Sequence, residues 1–359
     1  MAARYNVHNM DCIEGMESRI TPGSVHLTVT SIPFEELFSY SGKVTDVGNN
    51  GSTVNVRAGR FALNLRFFLD RLLTVTAPGC NACIHIQQLL AYKNQHGFMG
   101  RRDFRGALID LAMAAGWNYH GEVAIPKDPQ VMAQRLSLHS LQFKTGHSRS
   151  STQWAMAPND YVLVFAKPGE VEVPVRPLVY SVGKKPTRRA AWFGANGTTD
   201  AQAYAGYLQG WAQEVDAINP TGWIGADDWI RWASGCWEDI DQFDVLDGAR
   251  STRALSKYRE SEHEKHVCPL QRELIRRLIL LYSNPASIQP DVLVLDPFMG
   301  IGSTGCVAIE QGRNVVGFEL KESYHAAALD NCRAYSRIYD EARAGSAGRA
   351  KSLYDEEVA

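Results

Sequence analysis

The chain has 359 residues, 45% of them hydrophobic and 21% charged, with a formal net charge of −2. That composition excludes disorder over most of the length and suits one large domain with insertions, or two domains. The longest apolar runs, Leu278–Tyr282 and Val292–Leu295, are too short to span a bilayer, the N-terminal MAARYNVHNMDC has no apolar h-region of a secretory signal, and seven scattered cysteines read as reduced thiols of a cytoplasmic protein.

Residues 25–30, VHLTVT, alternate apolar and polar and predict a strand, ended by Ser31-Ile32-Pro33-Phe34 where proline removes a donor. The Gly-, Asn- and Ser-rich stretch Ser41–Ser52 reads as a loop. Phe61, Leu65, Phe68, Leu69, Leu72 and Leu73 recur at helical spacing, and Ala77-Pro78-Gly79 closes that helix. A short strand is expected at Ala82–Gln87. Asp103 caps a further helix, stopped by Gly116. Trp117–Ile125 and Asp160–Ala166 predict two strands able to pair antiparallel, separated by a polar, basic insertion at 127–159. The stretch 167–263 holds six of the eight tryptophans and many glycines. It reads as an inserted module serving target recognition, a homodimer interface, or simply core. From Pro269, placed in a first turn, PLQRELIRRLILLYS forms an amphipathic helix. A strand at Val292–Leu295, the turn DPFMGIGS, a helix from Ser303 to about Gln311, the stop Gly312 and a strand at Val315–Glu319 complete a strand–glycine turn–helix–strand unit. That unit is the signature of a parallel α/β sheet.

Two constellations carry chemistry. In DPFMGIGSTG, Asp296 to Gly305, the glycine turn lets backbone approach a ligand and the helix behind it presents free N–H groups. Gly300, Gly302 and Gly305 match G-x-G-x-x-G, and Glu319 ends the next strand 17 residues after Gly302, near the roughly 20 typical of a ribose-binding carboxylate. Asp296-Pro297-Phe298 sets an acid ahead of the glycines. It suits the ammonium of an amino-acid cofactor better than a pyrophosphate, favouring S-adenosyl-L-methionine over NAD. The second constellation, Ser31-Ile32-Pro33-Phe34, also follows a strand. An exocyclic amine would donate to the Ser31 hydroxyl and the Ile32 carbonyl while its ring stacks on Phe34.

These two motifs, in this order, resemble the circularly permuted beta group of DNA amino-methyltransferases, whose motifs are [S/D/N]-P-P-[Y/F/W] and D-P-F-x-G-x-G-[S/T]-T. Asn9-Met10-Asp11-Cys12 resembles the family's acid–cysteine pair facing the cofactor's adenine, EHEKHVCP (Glu262–Pro269) the stretch before the cofactor motif, and Gly97–Ile109 a segment of phage-borne members. The resemblance covers about residues 5–166 and 262–335. It implies a Rossmann-like methyltransferase fold with permuted motif order, mostly parallel with an antiparallel C-terminal hairpin. The implied division is a catalytic half at 1–166, the inserted module at 167–263, a cofactor half at 264–335 and a tail at 336–359. The implied cofactor residues are Asp11, Cys12, Asp296, Phe298, Gly300, Gly302, Ser303, Thr304 and Glu319. The implied activity is direct methyl transfer from S-adenosyl-L-methionine to an exocyclic amine of a base flipped out of double-stranded DNA. Ser31 in the first position resembles the cytosine-N4 subgroup; adenine N6 is the alternative, followed by an RNA or protein amide nitrogen, and then by a nicotinamide-dependent oxidoreductase. The Ser31 hydroxyl could both accept from the amine and donate to a ring nitrogen. Ile32 departs from the family's proline, keeping the carbonyl but losing rigidity. Ring-carbon methylation would need a Pro-Cys thiolate, and Cys268-Pro269 has the opposite order.

Charge is uneven. Residues 214–248 hold nine acids against Arg231, whereas 93–149 and 171–192 each carry a surplus of four bases. Arg135, Lys144 and Arg149, with His139 and His147, and the cluster Lys184, Lys185, Arg188, Arg189 are therefore candidates for phosphate or base contacts, or else a solvated face. Cys80, Cys83 and His85 offer three ligands where a structural zinc needs four, so no metal is expected. Oligomeric state and a paired endonuclease are not legible in the chain.

Overall fold

The computed structural model describes residues 4–33, 59–136, 156–175, 231–246, 269–286 and 288–356. Nine strands are described: β1 (Tyr5–His8), β2 (Val25–Ser31), β3 (Thr76–Gln87), β4 (Leu89–Ala91), β5 (Gly100–Arg102), β6 (Asn118–Ile125), β7 (Asp160–Ala166), β8 (Leu293–Asp296) and β9 (Asn314–Phe318). Seven form one sheet, in the order β1-β9-β8-β2-β3-β7-β6, while β4 and β5 make a separate antiparallel ribbon. From β1 to β3 every neighbour is parallel; β7 runs against both β3 and β6. The antiparallel hairpin therefore comes mid-chain rather than at the C-terminus, because β8 and β9 follow it in sequence.

Helices α1 (Cys12–Arg19), α2 (Gly59–Val75) and α4 (Phe104–Ala114) cover one face of the sheet. Helices α6 (Arg272–Tyr282), α7 (Ser303–Glu310) and α8 (Glu322–Glu356) cover the other, each layer with its own apolar cluster. Two further short helices are α3 (Lys93–His96) and α5 (Pro129–Leu136). Burial on both faces explains why β2 does not keep its expected polar face. Thr28 and Thr30 are as fully buried as Val25, Leu27 and Val29, as central strands of parallel sheets are. Helix α2 matches its predicted apolar spacing, but Thr76-Ala77-Pro78-Gly79 opens β3 instead of forming a separate stop. A register shift between Val25 and Leu27 absorbs those residues. Asp103 caps α4 through Gly106 N, and Gly116 follows it with φ 101°.

The described part of the tryptophan-rich stretch belongs to this domain. Residues 231–246 reach the free edge of β6, where Ala124 N donates to Gly235 O and Trp237 N donates to Ala124 O, covering an edge that would otherwise invite pairing. Trp232 and Trp237 are core, as expected of most of those rings. The Arg277 guanidinium stacks over both, with its side chain 4% exposed, and pairs with Asp239 at 2.7 and 2.8 Å and with Glu273 at 2.8 Å. Asp244 starts α6 by accepting from Arg272 N and Glu273 N. The helix thus begins at Arg272, beyond the expected Pro269, since its cap comes from a remote residue. Helix α8 runs unbroken across the 335/336 boundary. Among the described residues no helix is long and apolar enough to cross a membrane.

Candidate active site

Parallel strands put their carboxyl ends on one edge, where open α/β sheets bind ligands. That edge collects His8 to Asp11 after β1, Glu319 after β9, Asp296 to Gly302 after β8, Ser31 to Pro33 at the end of β2, His85 near the end of β3, and the start of β7 at Asp160.

One part of this edge centres on the glycine turn. Gly300 and Gly302 have φ of 53° and 96°, a conformation that side chains resist. A Cβ on Gly302 would meet Ala328 Cα at 3.1 Å, whereas one on Gly300 would meet no atom within 4 Å. The Glu319 carboxylate accepts from Gly300 N and Lys321 N, both at 2.8 Å. Asp296 is 4% exposed; its Oδ1 accepts from Thr30 Oγ1 at 2.6 Å and Phe298 N at 3.1 Å. Burial pushes its carboxyl up, against the hydrogen bonds from Thr30, Thr304 and the Phe298 amide that pull it down. Phe298 lies half-buried with its ring 5.2 Å from that of Phe68.

The residues fit an amino-acid nucleoside. Ser303 Oγ is buried with no hydrogen-bond partner, the N-terminus of α7 has no side-chain cap, and two carboxylates flank the turn. Thr304 turns inward, its hydroxyl shared between Asp296 and Val29 O, the latter at 3.3 Å, so it ties α7 to the sheet. Asp11 caps α1, with Oδ1 accepting from Ile13 N and Glu14 N, and Cys12 is buried beneath that helix, its thiol pushed up by burial.

On the neighbouring strand, Ser31 closes β2. Ile32 is 1% exposed in the cluster that holds Leu65, Phe68 and Leu69. Packing thus anchors the backbone at the position where the family's proline would, which offsets the loss of rigidity expected from sequence. Pro33 is buried; Phe34 lies outside the described residues, as do Lys144, Arg149, Lys184, Lys185, Arg188, Arg189, His139 and His147. Arg135 falls within α5, its side chain outside the described set.

Sequence reasoning missed what stands behind Ser31. Ser31 and His85 are register partners on adjacent strands, and Ser31 Oγ lies 2.9 Å from His85 Nδ1. On the far side, His85 Nε2 lies 3.0 Å from Asp160 Oδ2, which also receives Lys127 Nζ at 2.5 Å. All three side chains are within 10% of full burial. Burial acts to raise the Asp160 carboxyl, but His85 and Lys127 outweigh it and hold the group below the usual carboxylate range. A polar residue at the end of an otherwise apolar strand was the available signal. Spacing had instead grouped His85 with Cys80 and Cys83, two buried thiols that burial raises, Cys80 to about 11.

Sheet order, permuted connectivity and paired motifs define a methyltransferase-type α/β fold. The DNA methylase family pattern matches residues 25–330, and the chain belongs to that family. It is 41% identical over 68 residues to the DNA adenine methyltransferase YhdJ of Escherichia coli, covering 19% of this chain and 21% of that one. It is 28% identical over 170 residues to the type II methyltransferase M.MjaI of Methanocaldococcus jannaschii, covering 44% and 48%. The chain thus matches less than half the length of these curated relatives. Similar solved structures include a Thermus thermophilus protein assigned as a DNA modification methylase, in complex with S-adenosyl-L-methionine, at TM-score 0.55 and 18% identity, covering 92% of this chain and 94% of that one. The cytosine-N4-specific PvuII DNA methyltransferase superposes with TM-score 0.51 and 16% identity, covering 94% of each chain.

Proposed function

We propose that this chain transfers a methyl group from S-adenosyl-L-methionine to the exocyclic N4 of a cytosine flipped out of double-stranded DNA. The observation that carries the reading is the meeting, on one sheet edge, of the Asp296–Gly302 turn after β8 with Ser31-Ile32-Pro33 at the end of its neighbour β2. Asp296 would pair with the cofactor's ammonium, Glu319 would accept from its ribose hydroxyls, and Ser303 with the first N–H groups of α7 would take its remaining polar atoms. When bound, the cofactor would supply an electrophilic sulfonium methyl group to the amine. The amine's lone pair is normally delocalised into the ring; accepting its N–H groups at Ser31 Oγ and the Ile32 carbonyl draws the nitrogen toward tetrahedral geometry. Anchored by its buried side chain, Ile32 holds that carbonyl in place.

The second reading is adenine N6, favoured by the likeness to a relative named as an adenine methyltransferase. The test is to incubate the chain with labelled S-adenosyl-L-methionine and duplex DNA of many sequences, digest to nucleosides, and analyse by mass spectrometry. N4-methylcytosine is expected. N6-methyladenine alone overturns the base choice; label in RNA or protein and none in DNA overturns the substrate. DNA binding should weaken as salt rises, in proportion to the phosphates contacted.

A further inference from the structure

We propose that His85 and Asp160 form a proton relay behind Ser31, orienting its hydroxyl before methyl transfer and taking away the proton that transfer releases. This rests on the methyl-transfer reading. An amino nitrogen that has gained a methyl group carries two protons and a positive charge, and must lose one proton to give the neutral product. Ser31 alone is a poor sink, because a serine alkoxide is far too basic to form unaided. The structure provides the sink. Asp160 is held ionised, with Lys127 on the same oxygen, and a carboxylate only accepts, so His85 Nε2 carries its proton. In the neutral ring Nδ1 is then an acceptor, and the Ser31 hydroxyl donates to it across 2.9 Å.

Two consequences follow. With its proton committed to His85, Ser31 shows only lone pairs to the target and can only accept from the amine. The second role read from sequence, donation to a ring nitrogen, is not open to it in this state. After transfer, one proton moves from the methylated nitrogen to Ser31 Oγ while the hydroxyl's own proton passes to His85 Nδ1. The resulting imidazolium is flanked at Nε2 by the Asp160 carboxylate, which offsets the new charge. Protons balance: the amine loses one, Ser31 exchanges one, and His85 gains one. The register explains the alignment. Ser31 faces His85 across β2–β3, and Asp160 pairs with Gln87, two residues further along β3 and on the same face as His85. Lys127 lies two residues past Ile125, the register partner of Asp160.

His85 and Asp160 are positioning residues, because they act through Ser31, and the test needs a readout that a merely structural role would not move. In the wild-type chain labelled with ¹⁵N-histidine, NMR should show His85 protonated at Nε2 and unprotonated, hydrogen-bonded Nδ1. The substitution His85→Asn keeps an acceptor near Ser31 but cannot take up the proton, and Asp160→Asn lets an amide donate to Nε2 and reverses the tautomer. Each should lower the single-turnover methylation rate by about 10²-fold or more, with S-adenosyl-L-methionine affinity by calorimetry within about twofold of wild type. A protonated Nδ1 in the wild type, or wild-type single-turnover rates in both variants, overturns the relay. Failure of the proposed function is distinguishable, since there the wild type itself methylates no DNA.

Discussion

Asp296 offers the sharpest test of the cofactor site, because its two roles separate by substitution. The buried carboxylate holds Thr30 Oγ1 and Phe298 N and would also face the cofactor's ammonium. Asp296→Asn keeps an oxygen acceptor for both internal donors and deletes only the charge. The lost charge-assisted bond is worth about 1.5–3 kcal/mol, or a Kd weaker by roughly 10- to 150-fold at 1.4 kcal/mol per decade. Its melting temperature should hold or rise, because the penalty for burying a charge disappears. Asp296→Ala removes the acceptor as well, leaving the buried Thr30 hydroxyl without it at about 1–3 kcal/mol and the Phe298 amide and Thr304 hydroxyl weakened too, so it should melt several degrees lower. The pH dependence has a definite sign. Burial raises the folded-state pKa of Asp296, so the group's stability contribution is largest where it is protonated and declines as pH rises through the raised value. Cofactor affinity runs the other way, falling as pH drops through that value, and binding there releases a proton. Calorimetry in two buffers of different ionisation enthalpy, with thermal melts across pH, reads both. Wild-type affinity in Asp296→Asn would refute the assignment of this carboxylate to the ammonium.

The other expectations are simpler. Glu319→Gln should weaken S-adenosyl-L-methionine binding about tenfold by losing one charge-assisted bond, measured by calorimetry, while retaining an acceptor for the Gly300 amide. Ser31→Ala should leave that affinity nearly unchanged and lower single-turnover methylation at least 10²-fold; a variant at full rate removes Ser31 from the mechanism. Ile32→Ala, which empties a fully buried side chain, should cost about 2–5 kcal/mol in urea denaturation. Arg277→Met should cost about 2–3 kcal/mol in the same assay, less than the 3–5 of a fully buried pair, because Asp239 is 43% exposed.

What could be read from the chain was whatever its chemistry kept local. Asp296 to Gly305 is one continuous turn and helix start, so its glycines, cap and strand could be placed from ten adjacent residues. The start of α6 could not, since the carboxylate that caps it is Asp244. Strand β1 was invisible because only Val7 of its four residues is buried, too little for any period. Ser31 was found through its Ser-Ile-Pro-Phe context, but His85 lies 54 residues away and Asp160 a further 75. Only the register of three strands brings them into line. The role of Ile32 was misjudged for a related reason: sequence shows a proline missing, whereas its replacement by packing depends on α2 arriving over the end of β2.

The permuted order has a physical consequence at the centre of the sheet. β2 and β8 are neighbours although they come from opposite ends of the chain, and the two halves of the site meet at their junction. There Thr30 donates to Asp296 at 2.6 Å, and the next residue, Ser31, faces His85. Successive side chains on a strand point to opposite faces, so Thr30 reaches Asp296 while Ser31 reaches His85, one peptide unit apart; on the proposed reading the first serves the cofactor side and the second the target amine. On the proposed reading, the separation between methyl donor and acceptor would be governed by a largely buried strand pair rather than by loops. A reaction that depends on placing two groups in line gains most from that kind of support, since small displacements cost large factors in rate. The same reasoning accounts for a polar pair, Thr30 and Asp296, in a largely apolar core. Their hydrogen bond fixes β8 against β2 at the point where the two substrates must meet.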